Sequence, residues 1–339
     1  MRRLSVALGL AAAFAVLVAV AGFWQSLETP LNVPADGQLV TVPAGATARD
    51  VAQNLGSKGI LAHPRLWSLY ARLSGRAAQI KQGEYRLEKG MTPVGLLRLL
   101  VSGRTVQYAV TLIDGWTFRQ IMESMQHDDH IGQTLKPADY AGLIHKLGGP
   151  AGMSPEGWFY PNTYFFSNGA SELSILRRAY EAMHRYLELQ WSERAPDLPL
   201  KTPYQALILA SIVEKETGDA RERPLIAGVF INRLRKGMRL QSDPTVIYGV
   251  GTSYKGDITY KDLRRDTPYN TYVHYGLPPT PIAIPSPAAI HAVLHPAHTE
   301  YLYFVAKGNG THVFSRTYAE QEREVAKYQL HRSPAANGG

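Results

Sequence analysis

The stretch LILASIVEKETGD, residues 207–219, reads as a helix whose apolar run ends in acids. Thr202 is a good N-cap with Pro203 at the first helical position, and Gly218 supplies the C-terminal stop. Spacings of three and four bring Leu207, Ala210, Ser211 and Glu214 onto one face, so Glu214 extends the inward stripe. Glu216 falls about 200° round the helix and should look elsewhere, capping or pairing. A carboxylate leading off an apolar stripe is partly desolvated, which moves its pKa toward the range of a general acid. The plainer alternative is a helix-end acid in water.

Downstream, RPLIAGVFINRLRKG (223–237) is a second amphipathic helix that could pack on the first. Gln241, Ser242, Asp243 and Thr245 then form a dense polar group leading into TVIYG, which carries Tyr248. The proline-rich stretch 267–286 can be neither a regular helix nor a central strand. It reads as a stiffened, ordered loop presenting Asn270, Thr271, Tyr272 and Tyr275, groups suited to sugar. A short helix over 287–296, a hairpin with strands 301–306 and 311–315, and a helix from Glu320 to Leu330 complete the chain before a loose tail.

Upstream, PEGWFYPNTYFF (155–166) groups Trp158, Phe159, Tyr160 and Tyr164 around Glu156 and Asn162. That cluster suits a sugar-facing wall or an aromatic core corner equally. A helix from Ser171 to about Trp191 follows. Earlier still, one pattern occurs three times: extended residues, then Gly-x-Thr, then an apolar-periodic helix. The copies are VTVPAGATARDVAQNL (40–55), YRLEKGMTPVGLLRLL (85–100) and VTLIDGWTFRQIMESM (110–125). Thr47, Thr92 and Thr117 stand at N-cap positions, with Asp50 and Gln120 placed for capping boxes and Pro93 at N1. These look like small strand-to-helix units forming scaffold, with Tyr85 and Trp116 as weak sugar-contact candidates. Between copies, Leu66, Leu69, Tyr70 and Leu73 form a stripe at helix spacing that reads as core.

Leu4 to Trp24 is a 21-residue segment without a charge. As a helix it spans about 31 Å, the thickness of a bilayer core. Arg2 and Arg3 before it keep the N-terminus cytoplasmic by charge bias. Ala19 and Ala21 offer a signal-peptidase pattern, but the apolar run exceeds the usual h-region, which favours a retained anchor.

The absence of Cys excludes disulfides and thiolate chemistry. The net charge of +8 fits an anionic polymer or membrane surface, and without a basic block or recognition helix nucleic acid is the weakest partner. There is no zincin motif, nucleophile elbow, Walker loop or dinucleotide fingerprint, so neither metal nor cofactor is expected. Acid/base work by a carboxyl group is the simplest chemistry left, and glycosidic cleavage is such chemistry. Glu216, Asp243 and Glu156 are all open as second acids.

Four strings carry a resemblance: EGWFYPNTY (156–164), ASIVEKET (210–217), VFINRLRKGMRLQSDPTVIYG (229–249), and YNTY with GLPPTPI (269–272, 276–282). Together they closely resemble the YceG-like family, whose members include an endolytic murein transglycosylase of the bacterial inner membrane. The resemblance covers nearly the whole chain. It implies lytic cleavage of the MurNAc to GlcNAc β-1,4 bond in peptidoglycan strands, with the MurNAc C6 hydroxyl attacking C1 to leave a 1,6-anhydroMurNAc end. Glu214 matches the family's catalytic glutamate, acid first and base second. Expected substrate contacts are Glu216, Gln241, Ser242, Asp243, Thr245, Tyr248, Asn270, Tyr272, Trp158 and Tyr160. Expected partners are glycan strands, penicillin-binding synthases and other elongation or division proteins, and inner-membrane lipid.

The fold class expected is α+β: an N-terminal transmembrane helix, a small LysM-like α/β module, and a mixed α+β catalytic domain with a helical core. The boundaries expected are cytoplasmic tip and anchor 1–25, linker 26–38, module 39–105, catalytic domain 106–330 and flexible tail 331–339. The protein would be single-pass in the inner membrane with its catalytic domain in the periplasm.

Overall fold

A computed structural model describes residues 2–329, with side chains from residue 7 on; the tail expected over 331–339 lies outside the described residues. The fold is a mixed α+β one of many helices and small two-stranded sheets. Contacts divide it into two units, Met1–Tyr108 with Phe165–Gly169, and Ala109–Tyr164 with Ala170–Gly339.

The first unit opens with helix α1 (Arg2–Glu28), long and apolar enough to cross a membrane. It fits a single-pass anchor. Strand β1 (Gln38–Val42), helices α2 (Ala48–Ser57) and α3 (Pro64–Leu73), strand β2 (Gly83–Leu87) and helix α4 (Pro93–Ser102) follow. β1 and β2 pair antiparallel, with Val40 opposite Tyr85, and their inner faces meet the helices in one core. Trp67, Tyr85, Leu96, Leu97 and Leu100 are fully buried there, each leucine contributing roughly 1.5–3 kcal/mol. Trp67 and Tyr85 satisfy their polar atoms on main-chain oxygens, of Pro93 at 2.8 Å and Lys81 at 2.8 Å. Tyr85 is therefore a core residue, unavailable for sugar contact.

The three Gly-x-Thr copies fold as expected. Thr47, Thr92 and Thr117 are N-caps of α2, α4 and α5 (Phe118–Gln126), and the first and third complete capping boxes with Asp50 and Gln120. The preceding Gly45, Gly90 and Gly115 have φ of +74°, +82° and +75°, where a Cβ would be strained. That requirement explains the repeated glycine. The stripe on α3 departs from expectation: the helix buries Trp67, Ser68 and Ala71 instead, leaving Leu69 and Leu73 exposed.

Strand β3 (Gln107–Leu112) pairs with β5 (Asn162–Ser167), and short β4 (Ile131–Gly132) with β6 (Ala170–Ser171). After helix α6 (Leu143–Lys146), the second unit is built on α7 (Glu172–Ser192), α8 (Pro203–Glu216), α9 (Arg223–Arg235), α10 (Asp243–Val250), α11 (Tyr260–Arg264) and α12 (Pro287–Leu294). Hairpin β7–β8 (Tyr303–Ala306, His312–Ser315) and helix α13 (Tyr318–Tyr328) close it. α8 is central: α7, α9, α10 and α12 all pack on it. Every residue from Ala206 to Val213 is buried, so the helix is enclosed all round rather than along one stripe. Its start matches expectation, with Thr202 capping and Pro203 at N1, but its end does not use Gly218. Thr217 swings into extended backbone and stops the helix one residue earlier.

Candidate active site

Three enclosed carboxylates matter here: Glu214 and Glu216 in the last turn of α8, and Glu156 in the segment before β5. Glu214 lies in the last turn, with its side chain 7% exposed. Ser286, the N-cap of α12, reaches it from 72 residues away, donating both its main-chain N–H at 3.0 Å and its hydroxyl to Oε2. Oε1 faces Arg223 in the first turn of α9, with Nη2 at 3.6 Å. That separation is too long for a hydrogen bond, so Oε1 is the less committed oxygen. The Nε of Arg223 is buried and has no hydrogen-bond partner among the described residues.

The proline-rich segment carries Ser286 into place. Ile282 N–H donates to Ser211 Oγ at 3.0 Å, one turn back along α8, and Ile284 exchanges hydrogen bonds of 2.8 Å with Gly115 and Trp116. Lys215 Nζ donates to the Gly115 carbonyl at 3.2 Å. The third Gly-x-Thr turn is thereby tied to the helix that bears Glu214.

Glu216 points into a separate buried network. Ser242 Oγ donates to it at 2.5 Å, Ser242 N–H donates to Thr271 Oγ1 at 2.9 Å, and Thr245 Oγ1 donates to the Ser242 carbonyl at 2.6 Å. Beside them Tyr272 Oη donates to Asp243 at 2.5 Å, and Arg233 holds the Leu240 carbonyl and Gln241 Oε1 at 2.7 and 3.3 Å. Gln241 adopts a left-handed φ of 51°, a strained non-glycine conformation at the turn that delivers Ser242. Burial pushes the Glu216 carboxyl up to about 7; the Ser242 hydrogen bond opposes this, Asp243 reinforces it and Arg233 opposes it. Burial, and then Asp243, likewise raises the Tyr272 phenol.

The third carboxylate, Glu156, is 4% exposed. It accepts the Phe118 N–H of the first turn of α5 at 2.8 Å and the Tyr248 hydroxyl at 2.9 Å. Burial pushes it to about 7 despite both hydrogen bonds.

The expected sugar contacts separate by exposure. Gln241 and Asp243 are exposed, and Tyr160, Tyr248 and Tyr272 are half-buried. Four others are not free to meet a ligand. Trp158, 6% exposed, stacks on Tyr204 at 5.6 Å and against Tyr180 and His184, the core alternative for that aromatic segment. Asn270 uses its amide nitrogen on the carbonyls of Asp262, Leu263 and Arg265 and its oxygen on Tyr272 N–H, fixing the loop from inside. Ser242 and Thr245 are equally enclosed, because their hydroxyls serve Glu216 and the 242–271 junction. Burial raises the carboxyls of Glu156 and Glu216. Sequence reasoning missed Arg223 and Ser286. Ser286 closes the proline-rich loop already marked as ordered, whereas nothing local distinguishes Arg223.

The YceG-like family matches residues 40–327. The chain belongs to that family. Among YceG-like relatives, the endolytic murein transglycosylase of Bacillus subtilis is 32% identical over 306 residues, covering 85% of this chain and 84% of the relative. The endolytic murein transglycosylase of Streptococcus pneumoniae strain R6 is 29% identical over 346 residues, covering 91% of this chain but 62% of its own longer one. A crystal structure of a YceG-like protein from Listeria monocytogenes, 29% identical, covers 86% of this chain and 99% of its own, with a TM-score of 0.53. The YceG-like match takes in all three carboxylates, Ser286 and Arg223.

Proposed function

We propose that this protein is a membrane-anchored lytic transglycosylase that cuts within peptidoglycan strands, at the MurNAc to GlcNAc β-1,4 bond, and leaves 1,6-anhydroMurNAc ends. The activity class follows from family membership and from the relatives named above. The observation that carries the mechanism is Glu214, a nearly buried carboxyl with Oε2 secured by Ser286 and Oε1 turned to Arg223.

Glu214 would give a proton through Oε1 to the bridging oxygen as the C1–O bond breaks. It would then take the proton of the MurNAc C6 hydroxyl as that oxygen bonds to C1. The proton lost in the first half is regained in the second, and no water is consumed. Arg223, with Nη2 3.6 Å from Oε1, would face the negative charge that Glu214 carries between the halves. Gln241, Asp243, Tyr160, Tyr248 and Tyr272 would meet the glycan. Ser242, Thr245, Asn270 and Trp158 would form the floor beneath them.

Residues 1–25 would be the cytoplasmic tip and anchor, 26–38 a linker, 39–105 a LysM-like module, and 106–330 the catalytic domain in the periplasm. The antiparallel β1–β2 pair packed on α2 and α3 supports the module's assignment. Cleavage beside penicillin-binding synthases would terminate nascent strands.

Mass analysis of products from uncrosslinked glycan strands tests this. Wild-type protein should yield anhydro ends, and Glu214→Gln none. Reducing MurNAc ends would mean a muramidase. Binding without any cleavage would leave a tethered scaffold for synthases.

A further inference from the structure

The exposed stripe on α3 is unexplained by packing. Leu69 is 45% exposed and Leu73 is 73% exposed, on a helix that buries its opposite face in the core. Soluble surfaces carry single exposed leucines, but here two stand one turn apart, in line with half-buried Leu66 and Tyr70. Arg65, Arg72 and Arg76 flank the stripe and are all exposed. From Asp50 to Glu84 the chain carries no acid between them, only Lys58, those three arginines and Lys81. An apolar stripe bordered by arginine is the pattern of a helix lying on an anionic bilayer surface.

The position of α3 supplies the occupant. α1 packs against α3 and α4. Toward the end of α1, Leu27 is buried and Phe23 and Ser26 are half-buried, while the apolar helix before them is exposed. Phe23 lies in the last turn of the 21-residue uncharged segment ending at Trp24, and Ser26 and Leu27 follow it. If that segment fills a hydrocarbon core of about 30 Å, Trp24 to Glu28 rise only about 6 Å beyond it, within the headgroup layer. A helix in contact there has its axis about 10 Å from that of the anchor. α3 therefore meets α1 at headgroup depth.

We propose that the outer face of α3 docks on the outer surface of the same bilayer that α1 crosses, with Leu69 and Leu73 entering the headgroup boundary and the flanking arginines on anionic lipid. The module is then held down at two points and does not swing on its anchor. The proposal rests on α1 spanning the membrane.

The test uses full-length protein in nanodiscs. Because the chain has no Cys, a single introduced cysteine can be labelled cleanly. An environment-sensitive fluorophore on Leu73→Cys should shift to the blue and be quenched by lipid bearing a shallow nitroxide. A label on Glu322→Cys, exposed in the second unit, provides the water-exposed comparison. In discs rich in phosphatidylglycerol, combining Arg65→Glu, Arg72→Glu and Arg76→Glu should reverse most of the quenching. A Leu73 label that reports water, while a Leu17→Cys label within α1 is quenched, overturns the docking and leaves the anchor standing. If the Leu17 label also escapes quenching, the anchor reading falls first and the docking with it. A Leu73 label shielded from water but untouched by lipid nitroxide would mean a protein occupant, and would likewise overturn the proposal.

Discussion

The helix caps of the N-terminal module and the carboxylates on and around α8 are satisfied in opposite ways. In the module the capping hydrogen bonds are local, even though Trp67 reaches the Pro93 carbonyl across 26 residues: Thr47 and Asp50 cap α2 from three residues apart, and Thr92 serves Gly95 at the same distance. Around α8 they are remote: Ser286 reaches Glu214 across 72 residues, Tyr248 reaches Glu156 across 92, and Ser242 reaches Glu216 across 26. A local cap forms with its helix and loses only its own contribution when removed. A remote bond exists only once the chain has folded, and removing one partner leaves the other buried without its mate. The contrast predicts modest, separable effects in the module and large, coupled ones around α8.

The largest effect expected is from Glu214→Gln. It should lower the rate of anhydro-product formation by about 10³-fold or more, within the usual reach of general acid–base catalysis, with the fold intact by circular dichroism. A variant that keeps full turnover would move the chemistry to another carboxyl and erase the contrast.

Next comes pH. Glu156 keeps its proton to about 7 when folded and loses it near 4.5 when unfolded. Between those values this group binds more protons in the folded state, so its contribution to stability is greatest below about 4.5 and falls as pH rises toward 7. The fall attributable to this group is on the order of 3 kcal/mol. Urea unfolding across that window should show the decline, and Glu156→Gln should flatten it. Glu216 adds a decline in the same window, and His295, whose imidazole is held low by burial, adds an opposing rise.

Ser286→Ala sharpens the comparison, because one hydroxyl both caps α12 and holds Glu214. Turnover should fall by about 10²-fold through mispositioning, with KM little changed, and Ser286→Thr should recover most of it. The smallest effect expected is in the repeats. Thr47→Ala or Thr117→Ala should each cost about 1 kcal/mol in thermal unfolding and leave glycan cleavage unaltered. A loss of several kcal/mol from either would mean that the caps are not local after all.

Legibility in the sequence follows the same division. The N-caps, the left-handed glycines before them and the span of α1 depend on residues a few positions apart, so each could be read directly. Helix spacing and family strings both single out Glu214, and the structure places its side chain nearly buried between Ser286 and Arg223. Trp158 was ambiguous, since an aromatic run looks alike whether it lines a groove or stacks on Tyr204. Asn270 and Thr245 looked like ligands for sugar because polarity is visible in a sequence, whereas the carbonyls and hydroxyls that consume it are not.

The amino-acid order alone settled where helices and turns begin, which segment is apolar enough to span a bilayer, and which acid leads off the central helix. Short-range sterics and capping act before any tertiary contact exists, so they leave their mark in adjacent residues. Tertiary structure decided which carboxyls lose water, which hydroxyls are already occupied, and that Arg223 and Ser286 flank Glu214. Desolvation and long-range hydrogen bonding are properties of the packed chain, and no window of sequence contains both partners.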